Sequence, residues 1–146
     1  MPIPEFDERD DLPVGIHRAT LAEVMERFGG VSAQRQEVTQ RLLKIFTLAK
    51  NTGYLSRFII YGSYITAKSE PNDIDIFLVM HDDFESDNCV GDEGQLFDHY
   101  QADVIVGASI FWIRPSHILL LSLEEFINHW QTKRDQTKRG IIEVEI

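Results

Sequence analysis

The chain has 146 residues, a formal net charge of −10, and 43% apolar against 26% charged side chains. That suffices for one domain with its own core and is too short for two ordinary ones, and the balance excludes disordered, collagenous and coiled-coil chains. The longest apolar run, Ile76 to Met80, is far below the roughly 18 residues of a membrane span, and the acid excess argues against generic nucleic-acid binding through a basic surface.

Residues 1–18 hold Pro2, Pro4 and Pro13 among alternating acids, show no periodic apolar face, and read as an extended arm. Residues 19–53 are helical in pattern. Thr20 offers an N-cap that Glu23 completes as a capping box, Leu21, Val24, Met25 and Phe28 form a stripe, and Gly29-Gly30 ends it. Ser32 is the next N-cap, and Val38, Leu42, Ile45, Phe46 and Ala49 recur at helical spacing up to Gly53. Phe58 to Tyr61 then reads as a buried strand ending at Gly62-Ser63, Tyr64 to Lys68 as a short helical turn, and Glu70-Pro71-Asn72 as a turn. Asp73 to Met80 is the second strand.

Residues 81–98 carry seven acids and no Lys or Arg, which predicts a solvated, mobile surface segment. Within it a short helix is expected to start at Gln95 and run to Tyr100, and Ala102 to Val106 is expected as a third strand. Residues 107–121, apolar with Pro115, fit either strand or helix; apolar side chains left exposed there would suit a homodimer or partner face, a core element being the alternative. Ser122 caps a helix expected over Leu123 to Arg134, with Phe126, Ile127 and Trp130 on one side. After Gly140, Ile141 to Ile146 is expected as an edge strand. Lys133, Arg134, Lys138 and Arg139 form a small basic cluster near this end. Cys89 is the one cysteine and no charged-then-apolar leader precedes Pro2, so the expected compartment is a reducing cytoplasm.

Asp73 and Asp75 stand at i and i+2 of a strand otherwise made of Ile, Phe, Leu and Val. Strand side chains alternate, so both carboxylates share one face while Ile74, Ile76 and Leu78 take the other. Two anions so close raise each other's pKa unless a cation lies between them, and hard oxygen donors favour Mg²⁺ or Mn²⁺. Gly62-Ser63 follows the preceding strand and opens a turn, where glycine permits close approach of the backbone and free N–H groups and the Ser63 hydroxyl suit a phosphate. A phosphate site joined to a metal site supplies the parts for phosphoryl or nucleotidyl transfer. Asp103, placed mid-strand, is the candidate third carboxylate, either as a ligand of the metal that activates the attacking hydroxyl or as acceptor of its proton.

Gly62-Ser63, nine residues, Asp73-Ile74-Asp75 and later Asp103 resemble the nucleotidyltransferase superfamily with the polymerase-β-like core, particularly its minimal members. Residues 57–106 carry that match. The wider sequence, from Ile3-Pro4-Glu5-Phe6-Asp7 through Gly62 to Lys68 and Pro71 to Asp75 to Lys138-Arg139-Gly140-Ile141-Ile142, resembles short bacterial proteins described as nucleotidyltransferase-like. The resemblance implies an α/β (α+β) fold, a short mixed sheet flanked by helices, filling 1–146 as one domain with 107–146 completing it. It implies Mg²⁺ and a nucleoside triphosphate, ATP first, with Gly62 and Ser63 on triphosphate oxygens, Asp73 and Asp75 on the metals and Asp103 on the catalytic metal. The minimal enzymes carry an arginine and a further glycine after the Gly-Ser pair; here Lys68 is either that arginine's replacement as a phosphate contact or a solvated turn lysine. Small enzymes of this kind often pair with a helical HEPN ribonuclease toxin. By that analogy the second reading is a silent relative acting as a binding protein or antitoxin, and a protein is one possible acceptor.

Gly62 to Ser69 falls short of a Walker phosphate loop, because Ala67 stands where the second glycine belongs and Pro71 and a strand follow where a helix must. His17, His81, His99, His117 and His129 show no metal-ligand spacing. Cys89 has no basic neighbour to activate it, and Trp112 and Trp130 read as core.

Overall fold

A computed structural model describes residues 3–30, 32–89 and 91–146. Met1 and Pro2 of the expected arm, Val31 and Val90 lie outside the described residues. Helix α1 (Leu21–Phe28) starts at Thr20, whose side chain accepts from the Glu23 amide while the Glu23 carboxylate accepts from the Thr20 amide, the expected capping box. Helix α2 (Ala33–Asn51) starts at Ser32 and buries Val38, Leu42, Ile45, Phe46 and Ala49 on one stripe. Strands β1 (Ile16–Ala19), β2 (Leu55–Tyr61), β3 (Ile74–Met80), β4 (Ala108–Ile113) and β5 (Ile141–Val144) form one mixed sheet in the order β1-β5-β2-β3-β4. The pairs β1/β5 and β3/β4 are parallel, while β5/β2 and β2/β3 are antiparallel. The fold is a mixed α/β one, a five-stranded sheet flanked by helices.

Each sheet face has its own helical cover. Ile74, Ile76 and Leu78 of β3, with Phe58, Ile60, Ile110 and Val144, pack with Val24, Phe28, Leu42 and Ile45 from α1 and α2. Phe77 and Val79, with Ile59 and Ile141, pack with Ile127, Phe126 and Trp130, contributed by helix α5 (Leu123–His129) and its C-cap. Burial on both faces explains the unbroken apolar run of β3, and each such side chain contributes roughly 1.5–3 kcal/mol.

Four expectations are corrected. Ala102 to Val106 is a π-helical turn rather than a strand. Asp98 caps helix α4 (His99–Gln101), the chain continues helically, and Gly107 ends it in the left-handed region. Ala102 and Val106 are buried while Asp103 and Val104 are exposed, which is helical spacing; a five-residue segment with four apolar side chains is too short to reveal its period. The third strand is β4. Ile141–Val144 is interior, not an edge, because the arm supplies β1, which pairs outside it. That arm also buries Ile3 and Leu12. The α5 helix stops at His129, five residues before Arg134, so the basic residues sit in a following turn. The acidic segment is organised: Phe84 and Leu96 plug into the core, and helix α3 (Asp92–Leu96) forms within it and ends before α4, in place of the single helix expected from Gln95 to Tyr100. Leu119 and Leu120 are about nine-tenths exposed beyond β4, at 90% and 96%. Among the described residues no helix is long and apolar enough to cross a membrane.

Candidate functional site

The turn after β2 is fixed from α2. Gly62 has φ +84, and a Cβ added there would collide with the Asp75 carboxylate, so only glycine lets the backbone pass so close to that acid. Ser63 opens a single 3-10 turn whose carbonyl accepts from the Thr66 amide at 3.1 Å and hydroxyl at 2.7 Å. Buried Arg35 then gathers carbonyls from this stretch. Its guanidinium donates to Tyr64 O at 2.9 Å, Thr66 O at 2.7 Å and Lys68 O at 2.6 Å, and back to Phe28 O at 2.9 Å. Five donors in a rigid fork suit this task, which a lysine could not reproduce. Ser32 donates to Ser69 O and Gln34 to Pro71 O. Arg41 donates to Asn72 O at 3.2 Å and lies 3.7 Å from the Asp73 carboxylate.

Asp75 occupies the first turnward position of β3 on the α5 face, in register with Tyr61 of β2 and Ser109 of β4. Burial, then the Asp73 charge, push its carboxyl above the ordinary range, while Arg139 and Arg134 act in the opposite direction. Burial, and next the Asp75 charge, likewise push the Tyr61 hydroxyl up, with Ser109 opposing. This row lines a cleft of about 850 Å³ together with Gly62, Ser63, Lys68 and Asn72 from the segment after β2. Trp130, Lys133, Arg134 and Arg139, from the chain that follows α5, line it as well. Phe111 stacks on the His99 ring at 4.6 Å and meets Trp130 at a tilt, 5.3 Å between centroids.

Gly62, Ser63, Lys68 and Asp75 are thus brought together. Asp73, just before β3, is outside the cleft lining, its side chain 54% exposed, and reaches the site through its charge. Asp103 is not brought there: it is exposed on the π-helical turn, and the strand position beside Asp75 belongs to Ser109. Among the described residues no group of three or more His, Cys, Asp or Glu could hold a metal ion. Two hard carboxylates, one of them pressed by burial and by its neighbour's charge, still match the donor set Mg²⁺ takes when phosphate oxygens complete its shell. In the acidic segment, burial and then Glu93 push the Cys89 thiol up, which disfavours the reactive thiolate.

Two contributors escape a reading of the motifs alone. Arg35 stands three residues before Val38 on the apolar stripe of α2, and a charged residue on such a stripe is the signal for it. Lys133, Arg134 and Arg139 are visible as a cluster, but nothing local ties them to Gly62 or Asp75. The chain belongs to a family of unknown function, DUF6932, whose model matches residues 4–145. No curated protein and no solved structure matches it.

Proposed function

We propose that this DUF6932 member is a Mg²⁺-dependent nucleotidyltransferase that moves a nucleoside monophosphate from a triphosphate, ATP first, onto a hydroxyl of a separate acceptor. The observation that carries this reading is the contact between the Gly62-Ser63 turn and Asp75 at the floor of one cleft, with Asp73 two residues away. Ser63 and the backbone beside it offer donors to phosphate oxygens. Asp73 and Asp75 would hold Mg²⁺, which supplies charge neutralisation along the triphosphate when bound. In the transfer, the acceptor oxygen bonds the α-phosphorus, the bond from that phosphorus to the β-bridging oxygen breaks, pyrophosphate leaves with that electron pair, and the hydroxyl proton passes to solvent or a carboxylate.

Thermal shift with ATP tests it. Nucleotide should raise the melting temperature only with Mg²⁺, and Asp73→Ala combined with Asp75→Ala should abolish both that shift and nucleotide transfer. If the double variant binds nucleotide like the parent, the reading fails. A second reading, a silent relative acting as a binding protein or antitoxin, is favoured by Ser109 standing beside Asp75 where an active site of this kind would place a third acid. Stoichiometric Mg²⁺-dependent binding without pyrophosphate release, together with a stable complex with a toxin-like neighbour, would select it.

A further inference from the structure

The protein is acidic overall at −10, yet the charged side chains lining its cleft are Lys68, Lys133, Arg134 and Arg139 against Asp75 and Asp135. Three of these cations come from residues 131–139, which fold back on themselves through the Thr132 to Lys138 bridge and the bond from the Lys133 amide to Thr137 O at 2.8 Å. Asp135 is spent locally, since its carboxylate accepts from the Thr137 amide and hydroxyl.

The hairpin is tied at its base to the N-terminal arm. The Gly140 amide donates to Leu12 O, and the Gly15 amide donates to Gln131 Oε1 at 2.6 Å. Asp11, 4% exposed, spreads its two oxygens between Lys133 Nζ at 3.2 Å and Arg139 Nη1 at 3.4 Å. An acid buried this far is normally present because it is paired, and its two partners both line the cleft. Arg134, one residue along, is exposed and has no ion-pair partner among the described residues. Lys68, which lines the same cleft from the segment after β2, is equally unpaired among them. Cations brought by two separate segments to a cleft this size match an extended anion better than a single phosphate.

We propose that residues 131–139 form a polyphosphate-binding wall, with Arg134 as its direct contact and Asp11 as the positioning residue that holds Lys133 and Arg139 in place. This deepens the nucleotide reading and rests on it for the rest of the ligand, while the wall itself is testable without nucleotide or metal.

The test is calorimetric titration of the full chain with inorganic tripolyphosphate and, separately, orthophosphate, at low salt with EDTA. The parent should bind tripolyphosphate more tightly than orthophosphate, and Arg134→Ala should weaken it about ten-fold, the loss of one charge-assisted contact. Lys44→Ala, on the outer side of α2, should change nothing. Asp11→Asn should weaken binding and Asp11→Glu should restore part of it, which a merely structural role for the acid would not produce. Arg134 is exposed, so its variant reports binding with folding intact. Parent-like binding by Arg134→Ala, or orthophosphate matching tripolyphosphate, overturns the proposal. If tripolyphosphate binds through Arg134 while Mg²⁺ and ATP gain nothing from Asp75, the wall stands and the transferase reading falls. If Mg²⁺ and ATP bind through Asp73 and Asp75 while Arg134→Ala is neutral, the reverse holds.

Discussion

Residues 62–72 and residues 131–139 both contribute to the lining of one cleft, and the chain secures them by different means. The first segment hangs from α2 by neutral carbonyls: Arg35, Ser32, Gln34 and Arg41 donate to the backbone of residues 64–72. The second is held at its base by the N-terminal arm and by one buried acid shared between two partly exposed cations. Bonds from a buried guanidinium to carbonyls are little affected by salt, whereas ion pairs with one partner at the surface are screened. The Gly62-Ser63 wall, where position matters most for a reacting phosphate, is thereby the more rigid, and the basic wall the more compliant.

Breaking the rigid wall should give the largest effect. Arg35→Ala leaves the carbonyls of Phe28, Tyr64, Thr66 and Lys68 without their common donor in a buried place, and should destabilise the protein by about 3–5 kcal/mol, read from urea unfolding. Arg35→Lys should recover only part of that, having fewer donors in another geometry. Gly62→Ala comes next. It places a side chain at φ +84 and against the Asp75 carboxylate, so a loss of about 1–3 kcal/mol is expected with loss of Mg²⁺-dependent nucleotide binding. A variant that keeps parent-like binding would show that the close approach to Asp75 is incidental.

The compliant wall should yield a smaller change. Asp11→Asn removes the shared anion, but Lys133 and Arg139 have side chains 26% and 23% exposed and can rehydrate. The expected loss is about 1–2 kcal/mol, below that for a fully buried pair, and the gap to the parent should narrow in 1 M salt as screening weakens the parent's own pairs. A salt-independent loss would mean that Asp11 acts through packing and that both walls are rigid.

This division also explains what could be read from the chain. The capping signals at Thr20 and Ser122, the alternation of Asp75 and Phe77 against Ile74 and Ile76, and the turn at Gly62 are local rules that hold in the structure, whereas Asp73 falls just before the strand, beside Arg41, and is not in the cleft lining with Asp75. Gly62, Ser63, Lys68 and Asp75 meet because one strand, one turn and the next strand bring them together. Asp11 and Lys133 are separated by 122 positions, and no local pattern encodes such a pairing. Nor does one distinguish the outer strand of a sheet from the strand it covers, which is why β5 reads as an edge until the arm is seen beside it. Ala102 to Val106 misleads for another reason: Ala, Val and Ile fit either period, and the deciding signals are Asp98 and Gly107 at its flanks.

Asp75 lies between the two walls, and its protonation compares them directly. Burial behind the Gly62 turn and the Asp73 charge raise its carboxyl, and Arg139 and Arg134 from the hairpin only partly offset this. A carboxyl raised on folding binds its proton more tightly in the native state, so the native state is favoured below the unfolded-state range near pH 4 and loses that advantage as pH rises through the raised folded value. At pH 7 the charged Asp75 therefore opposes folding. Asp75→Asn should melt above the parent at pH 7, with the difference closing towards pH 3, while Mg²⁺-dependent nucleotide binding is lost; a site that sacrifices stability for function behaves in this way. Should Asp75→Asn melt below the parent at pH 7, the hairpin cations outweigh burial, and the basic wall is held against Asp75 more firmly than its exposed side chains suggest.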